Sequence, residues 1–251
     1  MANRSYLGSI KKYHEIGNGS NASVYYADYF DGGSVAYKEF YDNEYVKMIK
    51  DNIINLSSKG YDSDILIPDT FIYKMPNDDT FKGYITDLYT GKTITDMYQL
   101  SYEDKIRLLK EARKLVEKFH NKYNSIHCDI TPWNFIIPDY CNNMKLIDFD
   151  TTIDLNNKNM NKILYWNNFL EYFKNNGIDK DIDIFMFNML TYSLINNNSC
   201  FHSDNFYNSL YNMIKRQYGI IESNKAREII DTYKDFDKPK SIKKEYIIDY
   251  L

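Results

Sequence analysis

The sequence predicts an α+β chain, with a small antiparallel sheet first and a mainly helical part after it. Three observations carry this. Residues 11–40 read as three strands broken by glycine-containing turns. From Ser101 onward apolar residues recur at helical spacing, and residues 180–190 form an almost wholly apolar helix behind an acid. Strands grouped ahead of helices, rather than alternating with them, are the pattern of an α+β fold.

In chain order, Tyr13–Ile16 leads into Gly17-Asn18-Gly19-Ser20-Asn21-Ala22-Ser23-Val24, Tyr25–Tyr29 runs to a turn at Asp31-Gly32-Gly33, and Ser34–Phe40 returns carrying Lys38. A helix is expected from about Asp42 to Leu56, with Tyr45, Met48, Ile49, Ile53 and Leu56 as its apolar stripe. Ile65-Leu66-Ile67-Pro68 and Thr70–Lys74 read as the next strand region, and Phe81–Thr86 as another after a polar turn at Asn77-Asp78-Asp79. Ser101-x-x-Asp104 resembles a capping box ahead of a helix striped by Ile106, Leu109, Ala112, Leu115, Val116 and Phe119. His120, near its end, reads as a surface or capping histidine. The helix at 180–190 should be buried all round.

Composition narrows the class. The chain has 251 residues, enough for one large domain or two lobes, with 43% hydrophobic and 26% charged residues, as in ordinary soluble proteins. A net charge of −4 offers no basic excess for a general nucleic-acid or anionic-membrane binder. The start lacks the apolar core of a signal peptide, and no window approaches a membrane span, so no membrane partner is expected. The three cysteines, Cys128, Cys141 and Cys200, are odd in number and irregularly spaced. They suggest neither a disulfide framework nor a zinc site, and a reducing, cytoplasmic setting is the simpler reading.

The chemistry concentrates between Ile126 and Asp150. Asp129 and Asn134 stand ahead of the apolar run Phe135-Ile136-Ile137, and Asp148 closes a second run, Leu146-Ile147, after a turn at Pro138-Asp139. A loop, a strand, a turn and a second strand would return Asp148 beside Asn134. Phosphoryl transfer from a nucleotide needs oxygen ligands for Mg²⁺, a task that suits Asn134 and Asp148. It also needs a carboxylate to take the acceptor hydroxyl's proton, a task that suits Asp129.

On these residues the chain resembles a protein kinase. His127-Cys128-Asp129 to Asn134 stands where that family has its catalytic loop, and Asp148-Phe149-Asp150 where it has its magnesium-binding triplet. The resemblance runs from Ile16 to Leu251 and implies a bilobal, single kinase-like domain, with an N-lobe over about 1–88, a hinge over about 87–91 and a C-lobe over about 92–251. It implies ATP and Mg²⁺ as cofactors. Gly17, Asn18, Gly19, Ser20, Ala22 and Val24 would cover the phosphates, with Ala22 at the third glycine's place. Lys38, after Ala36, would bind the α- and β-phosphates. Thr86 falls at the gatekeeper position, and Asp87 to Tyr89 would meet the adenine edge through backbone groups.

The glutamate that the family pairs with its strand lysine has two candidates here, Glu44 and Asp51, and the sequence does not choose between them. Asp183 corresponds to the aspartate that braces the catalytic loop, and Glu171 and Lys238 to a glutamate–arginine pair of the C-lobe. His127, Trp133 and Phe149 are read as packing residues.

Three departures bear on function. Cys128 replaces the arginine that reads a phosphorylated activation loop, Thr131 replaces the catalytic-loop lysine, and Asp150 replaces the triplet's glycine. An acid at 150, with Thr-Pro-Trp-Asn before it, also resembles small-molecule kinases of the aminoglycoside and choline type. The expectation is a Ser/Thr protein kinase acting on a protein substrate. The alternatives are a kinase of a small hydroxylated molecule and a nucleotide-binding pseudokinase. Nothing in the sequence fixes an oligomeric state.

Overall fold

The computed structural model describes residues 3–19, 21–30, 33–41, 44–140, 143–156, 177, 179–196 and 246–250. The chain forms two compact units, Met1–Gly91 with Ile136–Thr152, and Lys92–Phe135 with Ile153–Leu251. The expectations placed on Ser20, Glu171 and Lys238 lie outside the described residues.

The first unit is built on a six-stranded sheet. Its strands are β1 (Asn3–Tyr6), β2 (Ile10–Asn18), β3 (Ala22–Tyr29), β4 (Gly33–Phe40), β5 (Thr70–Tyr73) and β6 (Phe81–Asp87), in the order β1-β5-β6-β4-β3-β2. The three strands expected over 11–40 form, and β2 and β3 extend into the glycine segment. All pairings are antiparallel except β1 with β5, which is parallel and makes the sheet mixed. The edge strand β1 had no signal in the sequence, because Asn3-Arg4-Ser5-Tyr6 shows neither alternation nor an apolar run.

Both faces of this sheet are packed. On one, Ala22, Phe40, Phe71, Tyr73, Phe81 and Tyr84 bury against Val46, Ile49 and Ile53 of helix α1 (Glu44–Ser58). On the other, Ala27, Tyr37, Ile72 and Ile85 form a second cluster with Leu7, Ile10 and Val35 around it. Helix α1 stops where the stripe ends, and Gly60 beyond it takes a left-handed φ of 102°. In the same unit a hairpin of β8 (Phe135–Pro138, from Ile136 on) and β9 (Lys145–Leu146) carries the chain toward Asp148.

The second unit is mainly helical among its described residues. Helix α2 (Tyr102–Tyr123) starts on Ser101, whose hydroxyl accepts from the Asp104 amide at 3.2 Å, and ends on left-handed Asn124. Its expected stripe is buried, with Leu109, Ala112, Val116 and Phe119 fully enclosed. Helix α3 (Asp181–Asn196) is buried on every side from Asp181 to Leu194, as its largely apolar run requires. Two short strands, β7 (Ser125–Ile126) and β10 (Ile153–Asp154), pair antiparallel on either side of residues 127–152 in sequence. The amide of Ile247 donates to Asn188 Oδ1 at 2.8 Å, and Tyr246 packs edge-on against Phe187.

Candidate active site

In the first unit, strand register gathers the residues expected to meet a nucleotide. Val24, Lys38 and Tyr84 are direct partners across β3, β4 and β6, and Ala36 faces Thr86 in the next like-facing row. Side chains two apart on a strand share a face, so Val24, Ala36, Lys38, Thr86 and Tyr84 all stand on one side of the sheet. That is the side on which α1 packs, and the cluster under α1 takes in Tyr84 but not Val24, Ala36 or Thr86. At the β2–β3 turn, Gly17 pairs with Val24 and Asn18 with Ser23, and the Gly19 amide donates to the Ala22 carbonyl at 2.9 Å. The Gly19 amide therefore serves the turn itself, and the Asn18 amide group reaches Glu15 and Ser23.

The sheet holds Lys38 by a close approach the sequence did not advertise. A Cβ on Gly83 would lie 1.9 Å from the Lys38 carbonyl oxygen, so β6 can lie against β4 there only with glycine at 83. The segment bearing Asp148 is fixed in a similar way. Leu66 and Leu146 exchange backbone bonds at 2.9 Å with Leu146 and Asp64, and the buried Lys145 ammonium pairs with Asp64 at 3.0 Å. Asp148 then adopts a left-handed φ of 64°, a strained conformation for a residue with a Cβ.

Lys38 Nζ lies 2.7 Å from Asp148 Oδ1 and 2.5 Å from Asp150 Oδ2. Asp150 also accepts from the Tyr84 hydroxyl at 2.8 Å. The Lys38 and Asp150 side chains are 13% and 7% exposed, whereas Asp148 is 34% exposed. Burial alone would lower the Lys38 pKa, but Asp148 and Asp150 outweigh it and raise it. Burial pushes Asp150 up to about 7; Lys38 opposes that rise and Asp148 adds to it. One ammonium serves two carboxylates, and the set carries a net negative charge when all three are ionised.

The sequence left the counter-ion of Lys38 open between Glu44 and Asp51. The structure gives it to neither. Both are exposed on α1, and the partners of Lys38 are Asp148 and Asp150. Helix α1 reaches the same segment through a neutral side chain instead, Asn52 Nδ2 donating to the Thr152 carbonyl at 3.4 Å. Nearer the expected hinge, Asp87 accepts from the Tyr61 hydroxyl, and the Tyr89 ring stacks on Tyr140 at 5.9 Å.

In the second unit, Asn134 donates from Nδ2 to both the Asp129 carbonyl (2.8 Å) and Asp129 Oδ2 (2.9 Å). This clamps the Asp129 carboxylate and leaves the Asn134 Oδ1, to which no donor among the described residues is bonded, as a hard oxygen of the kind Mg²⁺ takes. The loop is braced from α3. Asp183, fully buried, accepts from the His127 amide at 2.7 Å and the Cys128 amide at 2.8 Å. His120 Nε2 lies 2.7 Å from the same carboxylate. Burial works to raise the Asp183 pKa, but the bonds and charge of His120 and His127 outweigh it and hold it below the ordinary carboxylate value. Cys128 sits at a left-handed φ of 61°, and burial, then Asp183 and Asp129, raise its thiol well above the usual range.

Two readings of single residues are corrected here. His120 is not a surface histidine: it is 4% exposed and bonded to Asp183, a partner distant in sequence. Trp133 is not a packing residue, since it is 58% exposed on the short Pro132–Asn134 turn. His127 and Phe149 are buried, His127 against the Phe119 ring with its Nδ1 accepting the Asp129 amide.

A mixed sheet whose buried strand lysine is bound to two acids, and a braced Asp–Asn loop with a buried helix later in the chain, are an arrangement suited to phosphoryl transfer. The chain belongs to the protein kinase family: the family's model, Protein kinase domain, matches residues 10–248. Among curated proteins, no match to the chain is found. No helix among the described residues is long and apolar enough to cross a membrane.

Proposed function

We propose that the protein is a Ser/Thr protein kinase that transfers the γ-phosphate of Mg-ATP to a protein hydroxyl. The observation that carries this reading is that four polar residues with the needed chemistry are all engaged. Lys38 is bound to Asp148 at 2.7 Å, and Asp129 is clamped by Asn134 at 2.9 Å. Lys38 contacts the phosphates of the nucleotide. Asp129, held in one orientation, accepts the proton of the attacking hydroxyl. Asp148 and Asn134 offer the oxygens that hold Mg²⁺, which when bound neutralises charge on the transferred phosphoryl group. Gly17, Asn18, Gly19, Ser20, Ala22 and Val24 cover the phosphates. Ala36, Thr86 and the backbone of Asp87 to Tyr89 receive the base, with residues 87–91 as the hinge of a single kinase domain. The odd, irregularly spaced cysteines fit a reducing, cytoplasmic setting.

A second reading, a kinase of a small hydroxylated molecule, is favoured by one observation: Asp150, where the family has glycine, is bound to Lys38. It uses the same four residues in the same roles. Incubation with γ-labelled ATP and Mg²⁺, alone and with a generic basic protein, separates the two. Label on protein that vanishes in Asp129→Ala supports the protein kinase. Mg-dependent nucleotide binding without protein labelling refutes it in favour of a small acceptor. Absence of both makes the chain a pseudokinase. Asp148→Ala should abolish turnover and weaken Mg-ATP binding, whereas Asp129→Ala should lower turnover and leave nucleotide affinity close to wild type. Equal loss of affinity in the two variants would sink this division of roles.

A further inference from the structure

We propose that Asp150 is the positioning residue for Lys38. It holds the ammonium from within the 148–150 segment, its carboxylate fixed by the Tyr84 hydroxyl, so that the lysine is set without any acid from helix α1. This rests on the reading of Lys38 as the phosphate-binding lysine.

Three features of the first unit support it. Lys38 and Tyr84 are register partners on β4 and β6, so their ammonium and hydroxyl leave adjacent points of one sheet face. Both end on Asp150, at 2.5 and 2.8 Å. Phe149 is buried between two acids that both reach Lys38, with the left-handed turn at Asp148 directing the chain.

The two acids are not equivalent. Asp150 is enclosed and doubly bonded, while Asp148 keeps a third of its side-chain surface. If Asp148 is drawn to a cation, Lys38 still has a buried partner; without Asp150 it would be a buried ammonium with none, which is strongly unfavourable. Lys38 would then hold Asp148 to itself and compete with the cation for it. The acids of α1 are exposed and make no pair with Lys38, so a displacement of that helix leaves the lysine's anchor intact.

The test is a double-mutant cycle on nucleotide binding, read by calorimetry with ATP in the presence of Mg²⁺ and again in EDTA. The proteins are wild type, Lys38→Met, Asp150→Asn, the double variant, and Glu44→Gln with Asp51→Asn together. Asp150→Asn should weaken ATP binding about five- to tenfold when Lys38 is present and add nothing in the Lys38→Met background. The same coupling should persist in EDTA, because it runs through the lysine and not through a metal. The α1 double variant should bind like wild type.

A coupling factor of one, or a coupling seen only with Mg²⁺, would overturn the proposal, as would a loss in the α1 variant equal to that of Asp150→Asn. If Asp150→Asn does not melt cooperatively, Tyr84→Phe replaces it in the cycle. It should show a weaker coupling of about threefold, and no coupling would be decisive against the anchor. Failure of wild type to bind Mg-ATP at all refutes the kinase reading, and is thereby distinct from failure of the anchor.

Discussion

Asp183→Asn tests how the second unit holds its 127–134 loop. The carboxylate accepts three bonds, from the amides of His127 and Cys128 and from the His120 ring, in a fully buried position. An asparagine keeps one oxygen. Its best orientation leaves that oxygen on the His127 amide and the His120 ring, and turns its NH₂ toward the Cys128 amide, donor against donor. One charge-assisted bond, worth about 2 kcal/mol, is lost, and two others weaken by about 1 kcal/mol each on becoming neutral. The expected destabilisation is about 4 kcal/mol, a large fraction of the roughly 5–15 kcal/mol that holds an ordinary domain.

Urea denaturation at pH 7 should therefore show a midpoint well below wild type, and Asp129-dependent turnover should fall because Cys128 is no longer held at its left-handed φ. The pH dependence has a definite sign. The folded pKa of Asp183 lies below its unfolded value of 3.8, so its stabilisation is complete above that pH and is lost as pH falls toward the folded value. The gap between wild type and variant should narrow below about pH 4. A variant within about 1 kcal/mol of wild type at pH 7 would refute the brace, since losing even a single charge-assisted bond costs more than that.

Three further outcomes follow from the geometry. Gly83→Ala puts a methyl 1.9 Å from the Lys38 carbonyl, so β4 and β6 must separate; a loss of about 1–3 kcal/mol or more is expected in a thermal melt, and a wild-type melt would contradict the close approach. The Cys128 thiol, buried and raised in pKa, should not react with a disulfide reagent in native buffer once Cys141 and Cys200 are changed to serine, and should react on unfolding. Rapid native labelling would show the loop to be open. Ser101→Ala removes the side chain that caps α2 and should cost about 1 kcal/mol, and a change below about 0.3 kcal/mol would mean that another group satisfies the Asp104 amide.

What could be read from the chain was whatever local pattern dictates. The alternation of β3 and β4, the stripe and cap of α2 and the largely apolar α3 are properties of consecutive residues, and each became the expected element. The short edge strand β1 did not announce itself, because its pairing with β5 comes from a partner far along the chain. The same limit applied to single side chains. His120 sits near the end of an amphipathic helix, where a histidine is as reasonable facing water as facing the core; only the arrival of Asp183 on α3 decides it. Trp133 shows the reverse, an aromatic whose size predicts burial but whose place on a short turn exposes it.

Asp150 is the instructive case, because the residue was visible and its role was not. As an acid in place of glycine it stood out as a departure, yet the resemblance to the family pointed to α1 for the partner of Lys38. Two long-range pairings change the answer: β4 beside β6 sets Tyr84 level with Lys38, and the 148–150 segment returns beneath them. Once Tyr84 and Asp150 are both present, a glutamate on α1 has no ammonium left to neutralise. The exposed Glu44 and Asp51 are then what electrostatics requires, since a third acid at a site that already holds two carboxylates and one ammonium would be repelled.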